Sequence, residues 1–145
     1  MTTDIAVTAQ PDPTLEQFLA DRLYEFNAAA TGIDDGLALT IAVRDDQGQI
    51  VAGLTGHTWG GCCEIVRLWV HESQRSRGLG TRLVRAAEAE AVRRGCDQMV
   101  LSTHSFQAPS FYERLGFCRV ASVADYPSGH ANIVMTKQPL GAAAA

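Results

Sequence analysis

Residues 70–83 read VHESQRSRGLGTRL, and this stretch decides how the rest of the chain is to be understood. The apolar run Leu68, Trp69 and Val70 leads in as a strand. Arg75, Ser76, Arg77, Gly78, Leu79 and Gly80 then form a short polar loop, and an amphipathic helix begins at once, with Thr81 in its first turn. Gly78 and Gly80 allow a tight turn and let backbone amides approach a ligand closely. The first turn of a helix leaves N–H donors unpaired at the positive end of its dipole, a setting that favours an anion such as pyrophosphate. Arg75 and Arg77 add cationic charge to the same loop. The stretch therefore reads as an anion cradle, although two glycines alone also fit an ordinary strand-to-helix turn.

Two familiar phosphate motifs fit this loop poorly. A Walker A loop needs a Gly-Lys pair, and none occurs in the chain. A dinucleotide fingerprint needs a third glycine where Leu83 stands. The spacing Arg/Gln-x-x-Gly-x-Gly instead resembles the acyl-CoA pyrophosphate loop of the GNAT superfamily of N-acetyltransferases. A second stretch, APSFYERLGF at residues 108–117, resembles the A-x-x-x-Y-x-x-x-G-F segment near the C-terminal end of many GNAT domains. Order and spacing of the two segments, with a helix and a strand between them, match that family.

At 145 residues the chain has the size of one compact domain that can bury a core. Hydrophobic residues make up 46% and charged residues 19%, the balance of an ordinary globule. No apolar run of about 18 residues is present, so no membrane partner is expected. The acidic start MTTDIAVTAQPDP lacks a charged-then-apolar export pattern, and a cytoplasmic location is expected. A net charge of −4 argues against nucleic acid as a partner. Cys62, Cys63, Cys96 and Cys118 show neither C-x-x-C spacing nor a His/Cys ligand set, and read as small buried hydrophobes. No metal is expected.

Periodicity places a short edge strand at residues 4–9 and a helix at 14–29, with strands at 37–43, 50–59 and 64–70. A helix at 79–94 turns Leu79, Leu83, Ala86, Ala87 and Ala91 inward. A strand at 98–102, a short helix at 109–115 and an antiparallel pair at 119–123 and 132–136 complete the order. This predicts an α+β domain, three-layer α/β/α, built on a mixed, mostly antiparallel sheet. It spans residues 1–138 as one domain, and residues 139–145 form a frayed tail. The GNAT resemblance, which covers about residues 5–137, implies a splayed central strand pair. Pantetheine then lies in the gap against the backbone of Leu68, Trp69 and Val70, while Arg75 to Thr81 hold the pyrophosphate.

The resemblance further implies acetyl transfer from acetyl-CoA to a primary amine of a small molecule or peptide, directly in a ternary complex. Such a reaction needs a base for the amine and an acid for the departing thiolate. Tyr112 matches the family's tyrosine whose hydroxyl reaches the CoA sulfur, and is the candidate acid; a core residue on a short helix, like Phe111 beside it, is the competing reading. Glu64 stands on the strand beside the acyl group, where several GNAT enzymes carry a base. Val66 and Leu68 are expected to share its face and to be buried, an apolar setting for a carboxylate. A solvated strand-end glutamate is the competing reading.

His104 and His130 compete for the base role and are candidate contacts of the acceptor, or are surface histidines. The segment THSFQA lacks the Asn that many GNAT sequences place near Ser105 against the cofactor. A non-catalytic acyl-CoA-binding module and a protein N-acetyltransferase are the alternatives. The acceptor's identity and pairing into a homodimer stay open.

Overall fold

The computed structural model describes residues 3–141, which divide into two compact units at Asp34/Asp35. In the first unit, α1 (Pro13–Thr31) opens on Asp12, whose side chain accepts from the Leu15 amide at 3.0 Å, with proline in the first turn. It closes on Gly32 in the left-handed region (φ 74°), whose N–H donates to the Ala28 carbonyl at 2.8 Å. None of its residues is buried. The strand expected at residues 4–9 is absent. Ile5 and Val7 are almost wholly exposed.

The second unit is a six-stranded sheet. Its strands are β1 (Leu37–Arg44), β2 (Ile50–Trp59), β3 (Cys62–Val70), β4 (Gln98–His104), β5 (Cys118–Ala124) and β6 (Ala131–Lys137). Their spatial order is β1-β2-β3-β4-β6-β5. Every neighbouring pair is antiparallel except β3 with β4. That parallel pair is short: Cys62 faces Gln98, Cys63 faces Met99, Glu64 faces Val100, and pairing ends there. Beyond Glu64 and Val100 the two strands part. The predicted mixed, mostly antiparallel sheet with a splayed centre is thus the one observed.

Helix α2 (Leu79–Arg93) packs across β1, β2 and β3, and α3 (Pro109–Arg114) lies against β5. The buried residues of α2 are Leu83, Val84, Ala87 and Ala91. Ala86, expected inward, is exposed, because at about 100° per residue it falls off the edge of the Leu83–Ala87–Ala91 stripe while Val84 falls within it. Arg94 fastens the end of the helix to the sheet, donating to the Ala38 carbonyl at 3.0 Å and to Thr58 Oγ1 at 3.1 Å. Leu54, Met99, Met135 and Cys63 are the largest fully buried side chains. Beside this core Lys137 Nζ meets Glu88 Oε1 at 2.7 Å, with both side chains mostly buried.

A bulge changes the faces of β3. Gly56 pairs with Ile65 and Thr55 with Arg67, so Val66 is an extra residue. Cys63 and Ile65 are buried, then the inward face resumes at Leu68 and Val70. Glu64 therefore does not share a face with Leu68, and Val66 is 48% exposed rather than buried. Gly56 is what allows the close approach: a Cβ there would overlap the carbonyl oxygen of Glu64.

Of the cysteines, Cys63 and Cys96 are buried as expected, whereas Cys62 is half-buried and Cys118 is exposed on β5. Leu140, assigned to a frayed tail, is instead anchored on the core, its amide donating to the Asp97 carbonyl at 3.2 Å. The rest of that tail, from residue 142, lies outside the described residues. No helix among the described residues is long and apolar enough to cross a membrane.

Candidate active site

The wedge between β3 and β4 opens into a cavity of about 890 Å³ that runs from Ile65 and Leu68 to the Arg75–Thr81 loop and to Tyr112. Backbone direction along β3 decides what that cavity offers. The His71 amide donates to the Val51 carbonyl of β2, at 2.8 Å, while the Val70 carbonyl turns the other way and accepts from Arg75 Nε at 2.9 Å. Polar groups of successive residues alternate in an antiparallel strand. Leu68 and Val70 therefore present backbone groups to the gap left by β4, and Trp69 presents its own to β2. All three line the cavity, but Trp69 does so without a free backbone group, and its ring is 47% exposed.

The loop is shaped by two residues in the left-handed region, Ser76 (φ 63°) and Gly78 (φ 77°). Alternation of this kind gathers amides into a concave anion site. The first intrahelical bond of α2 runs from Arg82 N to the Gly78 carbonyl at 3.0 Å, and no side chain caps the helix. The amides of Leu79, Gly80 and Thr81 are consequently free of intrahelical acceptors. A Cβ on Gly78 would stand in open space, whereas one on Gly80 would meet the ring of Phe111 at 3.3 Å. The two glycines thus serve different ends, a backbone turn at Gly78 and helix-to-helix closeness at Gly80. Arg75 is partly committed to Val70, and Arg77 stays exposed on the loop.

Tyr112 projects from α3 into the same cavity with only 8% of its surface exposed. Phe111 and Phe117 hold its ring, at centroid distances of 5.1 and 5.7 Å. Burial pushes the Tyr112 hydroxyl above its ordinary value of 10.0, so it keeps its proton at neutral pH. Burial also pushes the Cys63 thiol up to about 11, and no cysteine lines the cavity.

Glu64 sits at the apex of the wedge, the last β3 residue paired to β4, but its side chain is half-exposed and outside the cavity lining. It meets His57 Nε2 of β2 at 3.2 Å. His104 ends β4 rather than following it. Its Nδ1 lies 3.0 Å from the Tyr126 carbonyl, which can only accept, so Nδ1 donates and Nε2 holds the lone pair of the neutral ring. His130 meets the ring of Phe106 edge-on at 5.0 Å. Neither histidine lines the cavity; Phe106 and Gln107 do. Among the described residues, no group of three His, Cys, Asp or Glu side chains is placed to hold a metal ion.

The family model described as Acetyltransferase (GNAT) family matches residues 4–117. The chain belongs to the GNAT acetyltransferase family. An acetyltransferase of Agrobacterium fabrum is 35% identical over 118 residues, covering 81% of this chain and 86% of that one. Blasticidin-S acetyltransferase of Streptomyces morookaense is 38% identical over 94 residues, covering 64% of this chain and 69% of its own length. A crystal structure of an acetyltransferase from Bacillus cereus superposes with a TM-score of 0.76 at 26% identity, covering 92% of this chain and 97% of that one.

Two residues of this candidate site escape the sequence motifs. Gln107 accepts from the His104 amide at 2.8 Å and from Thr103 Oγ1 at 3.4 Å, and so closes the end of β4 beside the cavity. Phe106 is the ring that carries the cavity outward. His57 is the partner of Glu64. The departure at THSFQA is the signal for Gln107 and Phe106; the pairing of His57 with Glu64 needs the register of β2 on β3.

Proposed function

We propose that the chain transfers an acetyl group from acetyl-CoA to a primary amine of a small molecule or peptide, by direct attack in a ternary complex. The observation that carries this reading is the continuity of three features in one cavity: the open backbone of Leu68 and Val70, the amide-lined loop at Ser76–Thr81, and the protonated Tyr112. The residues present suit a long, thin anion-bearing thioester. The loop amides and Arg75 line the path of its diphosphate, with Arg77 exposed beside them, and the β3 backbone takes the place of the missing β4 ladder. The thioester supplies an acetyl group activated for transfer.

The Leu68 amide then polarises the acetyl carbonyl, and it is fixed by the β2 pairing before any charge develops. The amine must lose its proton before it attacks, and Glu64, steadied by His57, is assigned that step. Tyr112 donates a hydrogen bond to the leaving sulfur. Its raised value makes complete transfer to a thiolate unfavourable, since a thiol titrates near 8.5. Its part is stabilisation of the developing charge, with solvent supplying the final proton.

The blasticidin-S acetyltransferase relative supports a small-molecule amine as acceptor over a protein one. Four free cysteines agree with a cytoplasmic setting. Titration calorimetry with acetyl-CoA on the wild type and on a Gly78→Asp/Gly80→Asp double variant tests the reading. Micromolar binding that the double variant abolishes is expected, followed by thiol release in an amine screen. A folded wild type that fails to bind acetyl-CoA overturns it.

A further inference from the structure

Where the cavity opens past Phe106, four rings from two segments meet. His104 stacks on Phe106 with a centroid distance of 5.5 Å and planes 2° apart. Tyr126 tilts against His104 at 5.1 Å, and His130 stands on Phe106 at 5.0 Å. Phe106 and Tyr126 are each 56% exposed, although large aromatic rings are among the costliest groups to leave in water.

The cluster is also rigidly built. His104 Nδ1 donates to the Tyr126 carbonyl. The Ser105 amide donates to the Ala131 carbonyl at 2.8 Å, and the Ala131 amide returns a bond to Ser105 Oγ at 3.0 Å. Within the β5–β6 turn, His130 N donates to the Pro127 carbonyl and Gly129 N to Asp125 Oδ1. An exposed aromatic surface held this firmly pays no ordering entropy when something lies on it.

Its charge is equally particular. Residues 103–109 and 121–131 contain no Lys or Arg, and the one carboxylate among them is Asp125. Ring faces carry negative potential and attract cations, and a planar cation can stack on them as well. From these observations we infer that the His104–Phe106–Tyr126–His130 platform is the acceptor subsite for a flat, cationic ring borne by the amine substrate. The inference rests on the acetyltransferase reading only for calling this ligand the acceptor; the binding itself can be measured without turnover.

Three matched primary amines test it: 4-(2-aminoethyl)-1-methylpyridinium, 2-phenylethylamine and 2-cyclohexylethylamine. Each is titrated against the protein by saturation-transfer NMR, with and without CoA. The pyridinium is expected to bind tightest and the cyclohexyl amine weakest. Phe106→Leu and Tyr126→Leu, which keep apolar bulk, should each weaken the pyridinium about fivefold and leave the cyclohexyl amine unchanged. Asp125→Asn retains both the left-handed backbone and the acceptor for Gly129, and should weaken the pyridinium alone. Tyr126→Leu should leave CoA affinity as it was.

Equal binding of the three amines, or indifference of the pyridinium to both leucine variants, overturns the inference. So does a preference for the phenyl ring over the pyridinium, which would assign the platform to an aromatic peptide side chain. Dimerisation abolished by Tyr126→Leu would assign it to a second copy of the chain. Failure of CoA to bind, with ring selectivity intact, overturns the acetyltransferase reading instead.

Discussion

Gly80 lies under the ring of Phe111, so close that a Cβ would stand 3.3 Å from Cζ. This contact joins α2 to α3 at the point where the loop and Tyr112 enter one cavity. Gly80→Ala is expected to lower stability by about 1 kcal/mol through overpacking, and adding Phe111→Leu should restore it. Gly78→Ala has open space but a left-handed backbone, so it costs about 1 kcal/mol that the Phe111 change cannot restore. Urea midpoints of the four variants check this pattern.

Gly56→Ala should be far more damaging. Its Cβ would overlap the Glu64 carbonyl oxygen, a backbone atom of the bulged β2–β3 pair, and that backbone cannot step aside cheaply. A loss of more than about 3 kcal/mol is expected, at the severe end for single substitutions. Thermal unfolding within a few degrees of wild type would show that the bulge relaxes after all.

Tyr112→Phe keeps the ring packed against Phe111 and Phe117 and removes only the hydroxyl. Turnover is expected to fall about 100-fold with acetyl-CoA affinity unchanged. Because burial raises Tyr112 above 10.0, its ionisation contributes no falling limb to the rate below that pH. Single-turnover rates and calorimetry on the same preparation separate the two effects.

Glu64→Gln preserves a hydrogen-bonding group opposite His57. Both side chains are half-exposed, so stability should move by less than about 0.5 kcal/mol. The rate at neutral pH is expected to drop about 100-fold and to recover as pH rises toward the acceptor's own pKa, where free amine no longer needs a base. A variant as active as wild type at pH 7 would leave Glu64 a surface residue.

Alkali should unfold this protein early. Cys63, pushed up to about 11, together with Cys96 and Tyr112, is held neutral by burial. In the unfolded chain these groups ionise at their ordinary values, so from about pH 8 upward the unfolded state binds fewer protons than the folded one. Stability then falls as pH rises from about 8 to 11, and below about pH 7.5 these groups contribute no slope. Cys63→Ala should flatten that decline in urea midpoints measured from pH 7 to 10.5.

What the residues themselves disclosed was mostly local. Gly78, Gly80 and the flanking arginines announced the loop because the motif is contiguous, and α2 and the strands followed from their periods. The faces of β3 depart from a simple alternation because one inserted residue, Val66, reverses a period of two, and only glycine in the facing strand hints at it. Residues 4–9 alternate like a strand but form none. The ring platform was out of reach of any window: His104 and Tyr126 are brought together across 22 positions by the β4–β6 pairing.

A sheet normally shows two edges to its surroundings, and strand edges are where chains template on one another. The parting of β3 from β4 gives this sheet two more, turned inward and short: residues 65–70 on one side and 101–104 on the other. A foreign polypeptide would have to thread itself lengthwise into a wedge that closes completely at Glu64 and Val100. A slender molecule carrying amides of its own meets no such obstacle. On the proposed function, the fork sorts visitors by thickness, and turns what is elsewhere a hazard of misassembly into a slot for a slender ligand.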